Sequence, residues 1–200
     1  MLRYIIGVTG ASGVKLSVRL IEELHKFSEV YTIVSNSAKK VIEYEGGSEV
    51  LKKIKRYSKN VFNADELDAP ISSMSFPVNG MIIIPCSMNT IAKLANGIIC
   101  NLISRVADNQ IRMRNKLVLV PREAPLNQIH LRNMLKLSKI DSVYILFPVL
   151  TYYHDPKTIE DMENFVTGKI LDILGIAHNL YRRWDTLKKL DSVCLSTSLL

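Results

Sequence analysis

The chain has 200 residues, 48% of them hydrophobic, with 26 Lys and Arg against 19 Asp and Glu for a formal net charge of +7. That much apolar material builds one good core and points to a single domain. No apolar run approaches the ~20 residues of a bilayer span, and the chain opens on a short strand-like run, without the charged and long apolar regions of an export signal.

Three cysteines with no CxxC pair and four scattered histidines give neither a disulfide framework nor a zinc site, so a reduced, cytoplasmic, metal-free protein is expected. The basic residues are dispersed and no aromatic-rich RNA motif accompanies them. The charge is as compatible with a solvated surface as with an anion-binding patch, and neither nucleic acid nor membrane is expected as a partner.

Taken in order, an apolar run at 3–8 leads through "TGASG" into an amphipathic segment at 14–27. The run at 29–34 is followed by helical spacing at 35–45. From 46 to 78, "SEVLKKIKRYSK" reads as a basic surface helix and "NVFNADELDAPISSMS" as an irregular connection. Further strand-like runs at 80–85, 116–121 and 142–149 alternate with helical segments at 87–96, 100–114 and 127–139. A last helix is expected from Thr158, where Asp161 completes a capping box after Pro156, to Leu174, with Gly175 as its stop. The tail "KKLDSVCLSTSLL" lacks periodicity and suits loose order or association. Short apolar strands alternating with helices predict a parallel sheet covered by helices.

In such a sheet, ligands bind beyond the carboxyl ends of the strands. The glycines Gly7, Gly10 and Gly13 do not have the G-x-G-x-x-G spacing of a dinucleotide site, and the second run ends in Ser35 and Asn36 with no ribose-binding acid. The turn can still cradle a phosphate, with Gly10 and Gly13 bending the backbone, the N–H groups opening the helix at Val14 facing the anion and Ser12 adding a hydroxyl. Ser12 and Ser35 are equally readable as helix N-caps.

"CSMNT" places Ser87, Asn89 and Thr90 in a helix first turn, where they can hydrogen-bond a polar heterocycle. Cys86 reads as buried filler, with no histidine nearby in sequence to activate it. "VPREAP" sets Arg122 and Glu123 between prolines directly after a strand. Arg122 can fork onto a phosphate or carbonyl and Glu123 can move a proton, unless the two simply form an ion pair. Tyr152, Tyr153 and His154 are interface aromatics or face an anion and a developing cation. His130 reads as a helix packing or surface residue.

"TGASG", "PCSMNT", "VPREAPLNQIHLRNML", "YYHDP" and "FVTGKILDILGI" occur in the order and spacing of the UbiX-type flavin prenyltransferases, which the chain resembles from about residue 5 to 176. The resemblance implies an α/β fold, one flavodoxin/Rossmann-like parallel sheet with helices on both faces, as a single FMN-binding domain over 1–200 (core about 3–176, helical tail 177–200). It implies transfer of a dimethylallyl group from dimethylallyl phosphate or diphosphate to reduced FMN, with N5 attacking the allylic carbon as phosphate leaves and ring closure at C6 releasing a proton. Prenylated FMN then serves a UbiD-type decarboxylase. A large homo-oligomer, commonly a dodecamer with sites between subunits, is implied as well.

By the same resemblance FMN contacts fall on Gly10, Ala11, Ser12, Ser35, Ser87, Met88, Asn89, Thr90 and Arg122. Prenyl-phosphate contacts fall on Tyr153 and Lys169 with Arg112 nearby, and proton transfer on Glu123 and Glu45. The family often has arginine at 169 and lysine at 112, so the choice between monophosphate and diphosphate stays open. The alternatives are a flavin-dependent cysteine decarboxylase, which shares "P-x-S-x-N-T" but whose later P-x-M-N-x-x-M-W block is missing here, and a non-enzymatic flavin-binding protein.

Overall fold

Six β-branched runs form one all-parallel sheet in the order β3-β2-β1-β4-β5-β6. The strands are β1 (Leu2–Val8), β2 (Ser28–Val34), β3 (Asn60–Asn63), β4 (Gly80–Cys86), β5 (Lys116–Pro121) and β6 (Val143–Ile145). Without the short edge strand β3 the order is that of a flavodoxin, and with it the order is that of a Rossmann sheet. The structure, a computed structural model, describes residues 1–184, so the tail from 185, Cys194 included, lies outside the described residues. The chain divides into two compact units, Met1–Pro148 and Val149–Leu200.

In the first unit, β1 sits in the middle of the sheet, in register with β2 from Leu2↔Ser28 to Val8↔Val34 and with β4 from Tyr4↔Gly80 to Gly7↔Ile83. All seven residues of β4 are buried, as a strand covered on both faces requires. One face packs Ile5, Ile33, Met81, Ile83, Leu117 and Leu119 against helices α4 (Met88–Ala95), α5 (Leu102–Met113) and α6 (Gln128–Ser138). Helices α1 (Val14–His25), α2 (Asn36–Glu45) and α3 (Gly47–Tyr57) pack together, with α1 against β1, β2 and β4. The chain leaves β1 toward β2 but leaves β4 toward β5. Right-handed crossovers therefore put α1 and α5 on opposite faces and open a crevice at the β1/β4 switch point.

Two expectations change. The run at 142–149 gives only Val143–Ile145, because an edge strand pairs on one side and Pro148 cannot join a ladder. The irregular stretch after α3 contains β3, paired with β2 from Tyr31↔Asn60 to Val34↔Asn63, and a short 3₁₀ turn at Pro70–Ser72. Four residues, two of them Asn, are too few for a sequence pattern to show.

The second unit holds α7 (Ile159–Leu174). Its capping box is formed as expected, with the Thr158 side chain accepting from Asp161 N–H and Asp161 accepting from Thr158 N–H, and Gly175 closes it at φ 80°.

Candidate functional site at the sheet switch point

Four strand–helix loops of the first unit are joined by direct hydrogen bonds. Buried Thr9, just past β1, donates through Oγ1 to Pro85 O (2.7 Å) and accepts there from Ser87 N–H (2.8 Å). Ser35 N–H donates to Val8 O (3.0 Å) and Arg122 N–H to Cys86 O (3.3 Å), so the loops after β2, β1, β4 and β5 run as a contiguous row. The β4–β5 register shifts between Ile83 and Cys86, where Pro85 removes a ladder donor, and this bend carries Ser87 toward Thr9. Gly10 closes the gap between the first two loops, since a Cβ there would lie 2.5 Å from Ser37 Cβ and Oγ. Ser37 in turn bonds Ser35 Oγ (3.1 Å).

Within this row the sequence-expected residues take distinct places. Ser35 and Ser87 are N-caps, accepting from Ala38 N–H and Thr90 N–H, and Ser87 Oγ also meets Thr90 Oγ1 at 3.0 Å. Ser12 is not the cap of α1. Gly13 holds that position, at φ 101°, while Ser12 is exposed at the tip of the turn beside half-buried Gly10 and Ala11.

The N–H groups expected to face a phosphate are instead bound by Glu45 at the end of α2. Its carboxylate accepts from Gly13 N–H (3.0 and 2.9 Å) and Val14 N–H (2.9 Å), filling the anion position that the start of α1 offers. Met88 is buried in the core, so only its main chain faces the loop row, whereas Asn89 is exposed.

Arg122 and Glu123 are both exposed and no ion pair joins them; Glu123 accepts from Ala124 N–H at 3.1 Å. Cys86 is fully buried, which pushes its thiol well above the ordinary range and removes it as a nucleophile. His130 belongs to the capping box that opens α6.

Arg112 is not in this row. It sits at the far end of α5, donating to Asn109 Oδ1 (2.7 Å) and paired with Asp108 (3.0 Å). Its partner Asn109 lines a cavity of about 280 Å³ together with Ser73, Phe76, Gln110, Met113 and Asn115. Asn115 directly precedes β5 and Arg122 directly follows it, about 20 Å apart at ~3.3 Å per strand residue, so Arg112, at the end of α5 that leads into Asn115, stands at the opposite end of the sheet from Arg122.

Tyr153 and Lys169 belong to the second unit and share one aromatic partner. The Tyr153 ring meets Phe165 edge-on at 5.8 Å and Trp184 at 5.4 Å, and Lys169 Nζ lies 5.3 Å from the Phe165 centroid. His154 stacks on Phe165 at 4.8 Å and 10°, and neither of its ring nitrogens has a hydrogen-bond partner among the described residues. Tyr152 is exposed. Among the described residues no group of three or more His, Cys, Asp and Glu could hold a metal, and no helix is long and apolar enough to cross a membrane.

The Flavoprotein family model covers residues 1–181. The flavin prenyltransferase UbiX of Saccharolobus solfataricus is 46% identical over 91% of this chain and 92% of its own. This chain belongs to the UbiX flavin prenyltransferase family. A UbiX structure in complex with FMN and dimethylallyl pyrophosphate superposes on it with TM-score 0.85 at 36% identity, covering 92% of this chain and 97% of the other. The dodecameric FMN-dependent UbiX-like decarboxylase of Escherichia coli gives TM-score 0.87 at 38% identity, over 92% and 99%. UbiX membership sets aside the cysteine decarboxylase and the non-enzymatic flavin-binding protein.

Thr9 and Ser37 were not singled out by sequence reasoning. Thr9 opens "TGASG" and Ser37 follows Ser35 and Asn36, but the partners that give them meaning are Ser87 and Gly10, 78 and 27 positions away by the numbering.

Proposed function

We propose that this chain is a metal-independent flavin prenyltransferase that joins a dimethylallyl group from dimethylallyl phosphate or diphosphate to reduced FMN, making the prenylated flavin of a UbiD-type decarboxylase. The observation that carries the reading is the hydrogen-bonded row of four loops at the switch point, in a chain belonging to this family. The row fits a mononucleotide flavin: the close approach at Gly10 leaves the turn compact, and the hydroxyls of Ser12, Ser35, Ser87 and Thr90, the amide of Asn89 and the exposed guanidinium of Arg122 all stand along it.

When bound, reduced FMN supplies the nucleophilic N5 and the ring carbon C6 at which the prenyl group closes. The chain's own groups bind and orient. Backbone at Gly10, Ala11 and Met88 would lie against the flavin, the hydroxyls would take its polar edges, and Arg122 would take anionic oxygen. Glu123, beyond β5 and free of an ion pair with Arg122, accepts the proton released at ring closure. Both Glu45 oxygens are held by backbone N–H groups, Oε1 by Gly13 and Oε2 by Gly13 and Val14, so its part is to anchor the turn. Tyr153 and Lys169 hold the donor's phosphate, and the cation stabilises it as it departs.

Arg112, a sheet height away from Arg122, serves the site of a neighbouring copy in a homo-oligomer, for which the dodecameric relative is the template. The reading places the enzyme in the cytoplasm. Anaerobic mixing with reduced FMN and each donor tests it: inorganic phosphate or diphosphate released in step with flavin consumed is expected, and no release with either donor overturns it.

A further inference from the structure

We infer that Asp172 and Tyr181 are positioning residues for Lys169, holding an aromatic seat under its ammonium that sets how tightly the second unit grips an allylic donor's phosphate. The inference rests on the reading of Lys169 as a phosphate ligand and goes beyond it by giving a role to Asp172, which stands without one in "FVTGKILDILGI", and to Tyr181, which lies beyond that block.

Lys169 Nζ lies 4.9 Å from the Tyr181 centroid and 5.3 Å from that of Phe165, within cation–π range of both. No carboxylate among the described residues forms an ion pair with it, so its N–H donors remain available to an anion while the rings fix where the ammonium stands. The rings are themselves fixed. Phe165 is buried and carries the stacked His154 ring, and it packs on Tyr181 at 4.9 Å.

Tyr181 is tied back to α7 by its hydroxyl, which donates to Asp172 Oδ2. Asp172 also receives His178 Nε2 (3.1 Å) and Arg183 Nη2 (2.8 Å) on Oδ1. Leu180 N–H donates to His178 Nδ1, which leaves Nε2 as the ring nitrogen facing the carboxylate. Burial opposes the charge on Asp172, but the three donors outweigh it and keep the carboxyl below its ordinary range.

Gly168 explains how the segment fits. A Cβ there would lie 2.6 Å from His178 Cε1 and 2.6 Å from Tyr181 Cδ1 and Cε1. Helix propensity alone favours alanine in mid-helix, so glycine at this point serves the packing of the Tyr181 ring beside Lys169.

The test varies dimethylallyl phosphate at saturating reduced FMN with the full chain, measuring kcat, KM, inhibition by inorganic phosphate and FMN affinity. Lys169→Gln is expected to raise donor KM and the phosphate inhibition constant about tenfold or more. Tyr181→Leu and Gly168→Ala should each raise both about fivefold, with kcat and FMN affinity within about twofold of wild type. Tyr181→Phe keeps the ring but frees it from Asp172 and should raise both about threefold; a wild-type KM in this variant removes Asp172 from the seat, and the variant carries the test with Gly168→Ala if the leucine variant does not fold. If Lys169→Gln raises KM while Gly168→Ala and Tyr181→Leu leave it unchanged in folded protein, the seat is refuted and the reading of Lys169 stands. If Lys169→Gln itself leaves KM and phosphate inhibition unchanged, that reading falls and the inference with it.

Discussion

Glu45 and Gly13, 32 positions apart, are joined at 2.9 and 3.0 Å by one carboxylate and one backbone N–H, and the same carboxylate reaches Val14 N–H. The end of α2 thereby holds the start of α1. Glu45→Ala should cost about 1–2 kcal/mol in urea unfolding, through lost charged hydrogen bonds and lost interaction with the helix dipole. It should also weaken FMN binding, since the Gly10–Ser12 turn loses its anchor. Unchanged stability together with unchanged FMN affinity would remove Glu45 from the positioning of this turn.

Thr9 ties β1 to β4. Thr9→Val keeps shape but leaves Ser87 N–H without its acceptor and removes one of the two donors to Pro85 O, at about 1–3 kcal/mol for a buried group. Thermal unfolding and flavin fluorescence check this: a lower Tm and weaker FMN binding are expected together. A variant as stable and as tight as wild type would mean the loop row holds without its central hydroxyl.

The base of the sheet contains a pH-sensitive contact. Glu29 is held down to about 2 by Lys59 first, then by Arg3 and Tyr31. A carboxyl with a depressed folded-state pKa contributes stability that is fully present above the unfolded value, here about 4.5, and is lost as pH falls toward about 2. The stability gap between wild type and Glu29→Gln should therefore be constant near neutrality and narrow through that acid window. A gap independent of pH would contradict the pairing.

Sites assembled from several copies predict complementation. Arg112→Ala and Glu123→Gln should each be inactive or nearly so alone; removal of a general base costs about 100-fold or more. Coassembled in equal amounts, they should recover about a quarter of wild-type activity, because half the copies supply an intact Arg112 and half an intact Glu123 independently. No recovery in mixed oligomers would place both residues in one copy's site or remove one of them from it.

What the sequence made legible is local. Thr158 and Asp161 announce the start of α7 because a capping box lies within four residues, and Gly175 announces its end. The central strands are legible because burial on both faces leaves unbroken apolar runs, as in β4. The short edge strand β3 is not, since its pairing depends on β2 across the sheet. Among site residues, Ser87 and Arg122 are visible from their place after strands. Thr9, Ser37 and the seat around Lys169 are not, because each acts through partners that only the fold brings near. Glu45 shows the converse: its part as an anchor depends on the start of α1 lying within reach.

If this chain prenylates a flavin, the mass of the flavin it releases reports the bonds made. Protein incubated anaerobically with FMN, dithionite and dimethylallyl phosphate or diphosphate, then denatured, should release a flavin heavier by one C5H8 unit. Release of unmodified FMN with both donors, from folded protein that binds FMN, would contradict the claim.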